Sequence, residues 1–457
     1  MRGTKTNEFI DMLGRLKEPK FASMLVLGFA SGLPLMMVFQ KLSVWLRDVG
    51  IDKSTIGFMY WITIAYTLKW LWSPGVDRIK IPYLTNKLGQ RRSWMIVAMI
   101  GTAIGLFVIA SSDPVNALWT TLLGAAILAY SGATLDIAID AWRIESAETV
   151  DQGTMAAIYQ LGYRFAIMFS GVGLALADYF PWIVTFSLMA LIMLIGATLV
   201  LLMREPEHAV RIQNEKANQP VHISISNALV EPFKQLISRL GIWILPVAGV
   251  VALYRLPDFT MGVMAAPLYV DLGYTKTVIG GFQSGFGPWF LIAGAFLGAI
   301  GVARLGVLKA LLFGIPLTFL TTAAYALLAN LGIPDQADAI RAANDGQLVG
   351  ITVPSNFWLF AAIGADNIAG GFVGTAFIAY LSSLTDPRNA ATQYACLSSL
   401  YAFFCKFAAG FSGVIAETIG YAGLFLLSAS YVIPAAALIV FILMMGPQTA
   451  KGEADLS

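Results

Sequence analysis

The chain reads as an all-α integral membrane protein with twelve transmembrane helices in two six-helix bundles, and three observations predict it. The first is composition: 58% of the 457 residues are hydrophobic and 12% charged, with a mean hydropathy of +0.73, whereas water-soluble domains carry about 25% charged residues. The bilayer is therefore the solvent. The second is the recurrence of apolar runs of about twenty residues, each long enough to span hydrocarbon, separated by short polar turns. The third is a duplication. Asp48, Gly50, Lys53, Ile56 and Gly57 recur at the same spacing as Asp271, Gly273, Lys276, Ile279 and Gly280, so the second half copies the first. Thr154, Tyr163 and Phe165 return as Thr392, Tyr401 and Phe403, at a longer offset that a polar insertion between Gly332 and Pro354 accounts for. A duplicated, membrane-embedded chain is the build of a secondary transporter.

Taken in order, the expected helices cover 20–45, 54–74, 93–111, 115–142, 153–177 and 180–203 in the first half, then 241–269, 276–303, 306–331, 355–384, 390–416 and 420–446. Helix 1 follows a polar tail without a small-residue cleavage site and exceeds a signal-peptide core, so it is expected to be retained. Its Gly28, Gly32 and Pro34 permit close crossing by a neighbour. Helix 7 holds Pro257, whose missing N–H and ring clash predict a break in mid-membrane. Helix 8 carries Gly285, Gly287, Pro288 and Trp289, and helix 10 carries Gly370, Gly371 and Gly374. The polar stretch 204–240, with Glu205, Glu207, Arg211, Glu215, Lys216 and Pro220, is the expected inter-domain linker, leaving domains at 1–203 and 241–457.

Basic residues set the orientation. With both termini cytoplasmic, only Arg47, Lys53, Lys276 and Arg341 fall on the far side and five lie within spans. The other twenty of the 29 Lys and Arg, Arg388 among them, are cytoplasmic. The net charge of +2 gives no sign of a nucleic-acid partner, and none is expected. Cys396 and Cys405 point to opposite faces of helix 11, so neither a mutual disulfide nor a CxxC metal site is available, and no metal is expected. His208 and His222 fall in the linker, which leaves no imidazole inside the membrane. With no HExxH or nucleophile motif embedded either, the chain is not expected to be an enzyme.

Nine embedded charges carry the chemistry: Lys41, Lys69, Arg164, Arg255 and Lys406 against Asp136, Asp140, Asp258 and Asp366. Each ion facing lipid near a helix centre costs about 2.5–3.5 kcal/mol, so they must face one another or water. Helices 3, 6, 9 and 12 carry no charge in their apolar spans. The third helix of each triplet is thus the lipid-facing one and the others surround a polar cavity. That partition resembles the major facilitator architecture.

Six segments narrow the resemblance: Leu27-Gly-Phe-Ala-Ser-Gly-Leu-Pro-Leu35; Lys69-Trp-Leu-Trp-Ser-Pro74 with Asp77-Arg78; Asp136-Ile-Ala-Ile-Asp140-Ala-Trp142; Gly162-Tyr-Arg164; Gly370-Gly371 with Gly374-Thr-Ala-Phe377; and Ala391-Thr-Gln-Tyr394. Together they resemble the AmpG muropeptide permeases, a group to which the eukaryotic acetyl-CoA transporters are related. The resemblance implies a multi-pass protein of the bacterial inner membrane, monomeric and free of cofactors. It implies proton-driven import, by alternating access, of N-acetylglucosaminyl-1,6-anhydro-N-acetylmuramyl peptides from periplasm to cytoplasm for cell-wall recycling. The same scaffold serves other cargo, so another anionic solute such as an acyl-CoA, a nucleotide or a peptide stands as the alternative. Ser73 to Arg78, followed by Arg91 and Arg92, resembles the superfamily's loop signature, with Ser73 where glycine is usual and an insertion before the arginines.

Each constellation has two readings. Asp77, Arg78, Arg91 and Arg92 either fix topology alone or form a charge cluster that stabilises one gating state. Asp136 and Asp140 share one face of helix 4 with Lys69 at similar depth on helix 2. They tie two helices together, or the acid left over beside a single lysine carries a proton. Arg255 and Asp258 flank Pro257 as a salt bridge over a kink or as the lining of a binding site. Arg164, with Gln160 one turn away and Tyr163 adjacent, lines the cavity or pairs with an acid of helix 4 or helix 2. A guanidinium offers five donors and a permanent charge, suited to peptide carboxylates. Asp366, beside Asn367, is the expected proton-coupling acid of the second half. Trp289 stacks on a sugar face or simply packs, while Trp45, Trp182 and Trp243 read as interface belts or packing. Five embedded cations against four acids favour a cargo bearing carboxylates, held near Lys41, Arg164, Arg255 and Lys406.

Overall fold

The computed structural model describes residues 14–15, 17–146, 151–206, 234, 238–385 and 390–447. Most of the expected linker, with Glu207, His208, Arg211, Glu215, Lys216, Pro220 and His222, lies outside them, as do Arg388 and the side chains of Ala391, Thr392 and Cys396. Among the described residues the secondary structure is helical throughout.

Of the helices among the described residues, nine are long and apolar enough to cross a membrane. They are α1 (Pro19–Asp48), α3 (Gln90–Ser111), α4 (Leu118–Ser146), α6 (Trp182–Leu202), α7 (Ser238–Asp271), α8 (Lys276–Leu305), α9 (Val307–Asn330), α10 (Asn356–Ser383) and α12 (Ser412–Met445). Three further helical segments stand where helices 2, 5 and 11 are expected: α2 (53–78), α5 (Gln152–Leu176) and α11 (Ala390–Ala409). Each differs from a plain apolar span for a visible reason. Helix α2 is interrupted by 3-10 turns at Tyr60–Thr63 and Lys69–Leu71, α5 carries Gln160 and Arg164, and α11 carries Gln393 and Lys406.

Other breaks follow the sequence. Helix α7 is interrupted at Tyr254 and Arg255, and Pro257 sits in the first turn of the helix Leu256–Asp271, where its missing N–H costs nothing. A carbonyl just before the break finds a donor: the Cys405 thiol reaches Ala252 O at 3.4 Å. Helix α1 has a π-turn at Met37–Lys41, just after Pro34, and α8 has one at Gly281–Phe286, before Gly287 and Pro288. The helix-12 segment begins at Ser412, eight residues before the expected 420, because the chain re-enters a helix there and then kinks at Gly420, whose φ of 76° suits glycine.

The chain forms two compact units, Met1–Leu42 with Leu68–Gln219 and Ser43–Thr67 with Pro220–Ser457. In the first, α3 packs on α4 and α6, and α1 on α5. The α1/α5 crossing is close: a β-carbon on Gly28 would run into the Tyr159 carbonyl, and one on Gly162 into that of Leu25. In the second, α8 packs on α10 through the same device, with Gly294 against the Ile368 carbonyl and Gly371 against that of Leu291. Its core joins Tyr254, Leu311, Phe377, Tyr380 and Ile439. Helix α3 exposes Val97, Ile100, Ile104 and Phe107, and α9 exposes Phe313, Leu320 and Leu327, each set at helical spacing. That is an apolar stripe suited to lipid. Trp45 and Trp182 are buried in packing and do not belong to an interface belt, whereas Trp119 and Tyr179, at helix ends, are exposed.

Candidate functional site

In the first unit the expected carboxylate cluster assembles. Lys69 Nζ lies 3.7 Å from Asp136 Oδ2 and 3.6 Å from Asp140 Oδ2. Arg143, one turn beyond Asp140 on the same helix, approaches it to 3.9 Å. This corrects the sequence-based count, in which one acid was left over beside a single lysine: two acids face two cations here. The two acids nonetheless differ. Asp140 is about half exposed, whereas Asp136 is mostly covered, and its other oxygen accepts a 2.5 Å hydrogen bond from Ser31 of α1. Ser31 in turn lies 2.6 Å from the hydroxyl of Tyr159 on α5.

Further along α5, Arg164 is half-buried and makes no ion pair or hydrogen bond among the described residues, so the alternative of pairing with an acid of helix 4 or helix 2 is not realised. Gln160 on the same face is exposed, and Tyr163 stands with its ring 6.4 Å from that of Tyr159. A guanidinium without a carboxylate in a partly desolvated place is suited to receive an anionic group. Lys41 differs: it is fully buried at the π-turn of α1, with Gln40 Oε1 3.5 Å from its ammonium, so no ligand reaches it in this arrangement.

A second cluster of the first unit gathers at the 78–90 connection. Arg91 binds Asp77 at 2.6 Å and Glu145 at 2.7 Å. Arg92 does not join it. Its guanidinium donates to the carbonyls of Val200 and Leu201 at the end of α6. Arg78, next to Asp77, is half-buried. Glu205 accepts from the backbone amides of Arg91 and Arg92, capping the first turn of α3. Burial pushes its carboxyl above the usual glutamate range, against the pull of those two amides. Sequence reasoning found Asp77 and Arg91 but missed Glu145 and Glu205, which are 54 and 114 residues from Arg91.

In the second unit, Arg255 at the break of α7 and Asp258 in the first turn after it pair at 2.7 Å. Asp366 is half-buried and makes no hydrogen bond among the described residues, while Asn367 donates to the Ile363 carbonyl and lies beside Gly287. Trp289 is 61% exposed, on a face of α8 shared with Phe296 and Ile300, so it does not pack within the chain. Lys406 is engaged with the backbone: its ammonium donates to Thr63 O at 2.8 Å, at the end of the 3-10 turn of α2. A 3-10 turn leaves carbonyls that an α-helix would satisfy, and the lysine supplies the donor.

The cluster that sequence reasoning missed altogether is centred on Asp271, the first residue of the second motif copy. Its carboxylate accepts two 2.8 Å bonds from Arg47 Nε, one of 2.9 Å from Arg341 and one of 2.7 Å from the Tyr421 hydroxyl. Arg47 also reaches Asp338 at 2.7 Å and Ile51 O at 3.0 Å. Arg341, Asp338 and Asp335 all come from the polar insertion, the first two on a short helix, Ala337–Ala343, and Asp335 on the 3-10 turn Pro334–Gln336 before it. Asp335 accepts from the Tyr421 amide at the Gly420 kink, and Lys53 lies 3.6 Å from it. The other motif copy pairs more openly, with Asp48 3.1 Å from Lys276. The repeated motif was the available signal, because its Asp and Lys positions hold partners in both copies.

Comparison with known proteins identifies the lineage. The family model described as Major Facilitator Superfamily matches residues 21–337. "Putative transporter AmpG 4" of Rickettsia conorii is 30% identical over 94% of this chain and 96% of its own length. The "Anhydromuropeptide permease" of Escherichia coli K12 is 30% identical over 93% of this chain and 80% of its own. Among solved structures, a D-xylose-proton symporter superposes with a TM-score of 0.64 at 12% identity over 95% of this chain and 99% of its own. The nucleoside transporter NupG gives 0.61 at 14% identity over 93% and 99%, and at such identities both speak for the fold alone. With charge clusters inside apolar helices and relatives that match over more than nine-tenths of it, the chain belongs to the Major Facilitator Superfamily, in the group of AmpG-type transporters.

Proposed function

We propose that this chain imports anhydromuropeptides across the bacterial inner membrane together with protons, by alternating access, with both termini in the cytoplasm. The observation that carries the reading is Arg164, a half-buried cation without an anionic partner among the described residues, on a helix face that also presents Gln160. It suits a cargo that brings its own carboxylates, and the name of the Escherichia coli relative, an anhydromuropeptide permease, supplies the chemical class. Asp136 and Asp366 are the proposed proton carriers. The first is bonded on one oxygen to a neutral hydroxyl, and the second makes no hydrogen bond among the described residues, so either takes up a proton without breaking a tight ion pair. Protonation from the periplasmic side, then binding of the anion, then inward opening carries both across without stranding a charge in low dielectric. No cofactor, metal or chemical step on the cargo enters this scheme, and the monomer suffices for it.

The test is uptake of labelled anhydromuropeptide into proteoliposomes with and without an inward proton gradient. Accumulation is expected only with the gradient. Arg164→Ala is expected to weaken binding of the peptide-bearing sugar by about 2–5 kcal/mol and that of the peptide-free sugar by less. Equal losses for the two would mean that Arg164 holds helices and does not read the peptide, and accumulation without a gradient would remove the proton from the mechanism.

A further inference from the structure

Ser31 and Tyr159 belong to none of the charged clusters, yet they join the most enclosed acid of the first unit to the helix that carries Arg164. Ser31 is 2% exposed, in mid-α1, and its hydroxyl has two partners, Asp136 Oδ1 at 2.5 Å and Tyr159 OH at 2.6 Å. The seam that holds them is tight, because Gly28, three residues before Ser31, lies against the Tyr159 carbonyl itself, and Gly162 lies against the carbonyl of Leu25. The backbones that carry the two hydroxyls are thereby held close together.

A hydroxyl has one proton to give. While Asp136 is ionised it only accepts, so Ser31 donates to it and Tyr159 donates to Ser31. Both protons are then committed along the chain toward the acid. Once a proton sits on Asp136 Oδ1 the direction reverses: the acid donates to Ser31, Ser31 donates to Tyr159, and the phenolic proton of Tyr159 is released to point away from the chain. From Tyr159 the face of α5 continues to the exposed Gln160, to Tyr163 and to Arg164. Around the acid, the groups that share its field are Lys69 from α2, Asp140 and Arg143 on α4, and Tyr159 and Tyr163 on α5. Lys69 comes to 3.7 Å of Asp136 Oδ2, while Oδ1 accepts the Ser31 hydrogen bond.

We infer that Ser31 and Tyr159 form a two-hydroxyl relay, which converts protonation of Asp136 into a free hydrogen-bond donor on the ligand-facing side of α5. The relay rests on the reading that Asp136 takes up the transported proton. It gives that reading a direction: an acceptor-rich cargo, such as the carboxylates and sugar oxygens of a glycopeptide, gains a bond only after the proton has arrived. Both residues are positioning residues with respect to proton uptake, acting through Asp136.

The experiment measures binding of labelled anhydromuropeptide to the purified full-length protein at acid and alkaline pH, in the parent and in Ser31→Ala, Tyr159→Phe, their double variant and Asp136→Asn. Tyr159→Phe keeps the ring in the helix seam, so folding does not depend on the Ser31 variant alone. In the parent, the ratio of acid to alkaline affinity is expected to be about two- to tenfold, the worth of one hydrogen bond. That ratio is expected to fall toward one in Ser31→Ala and in Tyr159→Phe, and the double variant is expected to lose no more than either, because the two act in series. If Asp136→Asn flattens the ratio while both hydroxyl variants keep it, the relay is wrong and the proton carrier stands. If the two hydroxyl losses add, they are separate contacts and the series is wrong. If Asp136→Asn keeps the full ratio, the reading beneath the relay falls and the relay with it.

Discussion

Two clusters of charge in this protein are built with opposite arithmetic. In the first unit one arginine, Arg91, is held between two acids, Asp77 and Glu145. In the second, one acid, Asp271, is held between two arginines, Arg47 and Arg341. The Arg91 cluster stands at a loop, with Asp77 30% exposed, so water shares the burden of solvating it. Arg47 and Asp271 are both at 0% exposure, where every hydrogen bond not supplied by protein is lost. The first cluster can therefore lose a partner and be rehydrated. The second has a dry centre, Arg47 with Asp271, and only at its edge does the half-exposed Asp338 share both arginines; Asp338 and Arg341 come from an insertion that the first half of the chain lacks.

Substitution tests this contrast directly. Asp271→Asn is expected to cost about 3–5 kcal/mol, since it removes the buried counter-charge that Arg47 and Arg341 share and leaves both to the half-exposed Asp338. Thermal unfolding of the purified protein reads it, and a loss below about 1 kcal/mol, the size seen for exposed pairs, would mean that water enters the cluster. Arg91→Lys, which trades a two-armed fork for a single point of charge, is expected to cost about 1.5–3 kcal/mol by the same measurement. A loss equal to that of Asp271→Asn would erase the distinction between the two clusters. Asp48→Asn breaks the pair with Lys276, in the more open copy of the repeated motif, and is expected to cost at most about 1 kcal/mol.

The smallest effect concerns Asp151, which bridges Lys20 at 2.7 Å and Arg15 at 2.6 Å. Hydrogen bonds from Lys20 and then Arg15 hold its carboxyl below the usual aspartate range. A depressed folded value means stability that is fully present above the ordinary aspartate pKa and lost as the pH falls through the lowered one. The melting temperature is thus expected to show a slight acid-side decline that Asp151→Asn removes. An unchanged profile in that variant would leave the bridge without energetic weight.

What was legible in the sequence depended on distance along the chain. Asp136 and Asp140 sit one helical turn apart, so their shared face followed from helical geometry alone, and Lys69 was placed at the same depth by counting from the helix end. Pro257 announced the break in α7 because its chemistry is local. Asp271 and Arg47, 224 residues apart, gave no such sign. Each lies near the end of an apolar run, where a charge is ordinarily solvated, and only the folded chain brings the insertion's Arg341 and Asp338 to meet them. Lys406 misled for a related reason. A lysine inside an apolar helix reads as a ligand-binding cation, whereas its partner is the Thr63 carbonyl, exposed by a 3-10 turn in α2 that no proline or glycine signals. Arg143 was overlooked as a cation for Asp140 because, one turn along α4, it was counted with the loop.

The glycines of the α1/α5 and α8/α10 crossings set a mechanical rule for the transport cycle. Where backbone lies on backbone with no side chain between, two helices have no lever by which one can roll over the other, and even a methyl group's thickness would force them apart. Each pair is then a single beam. Any bending during transport falls to the places where the helical ladder is already interrupted: the π-turns at Met37–Lys41 and Gly281–Phe286, each borne by one member of a beam, and the breaks within α2 and α7, which belong to neither.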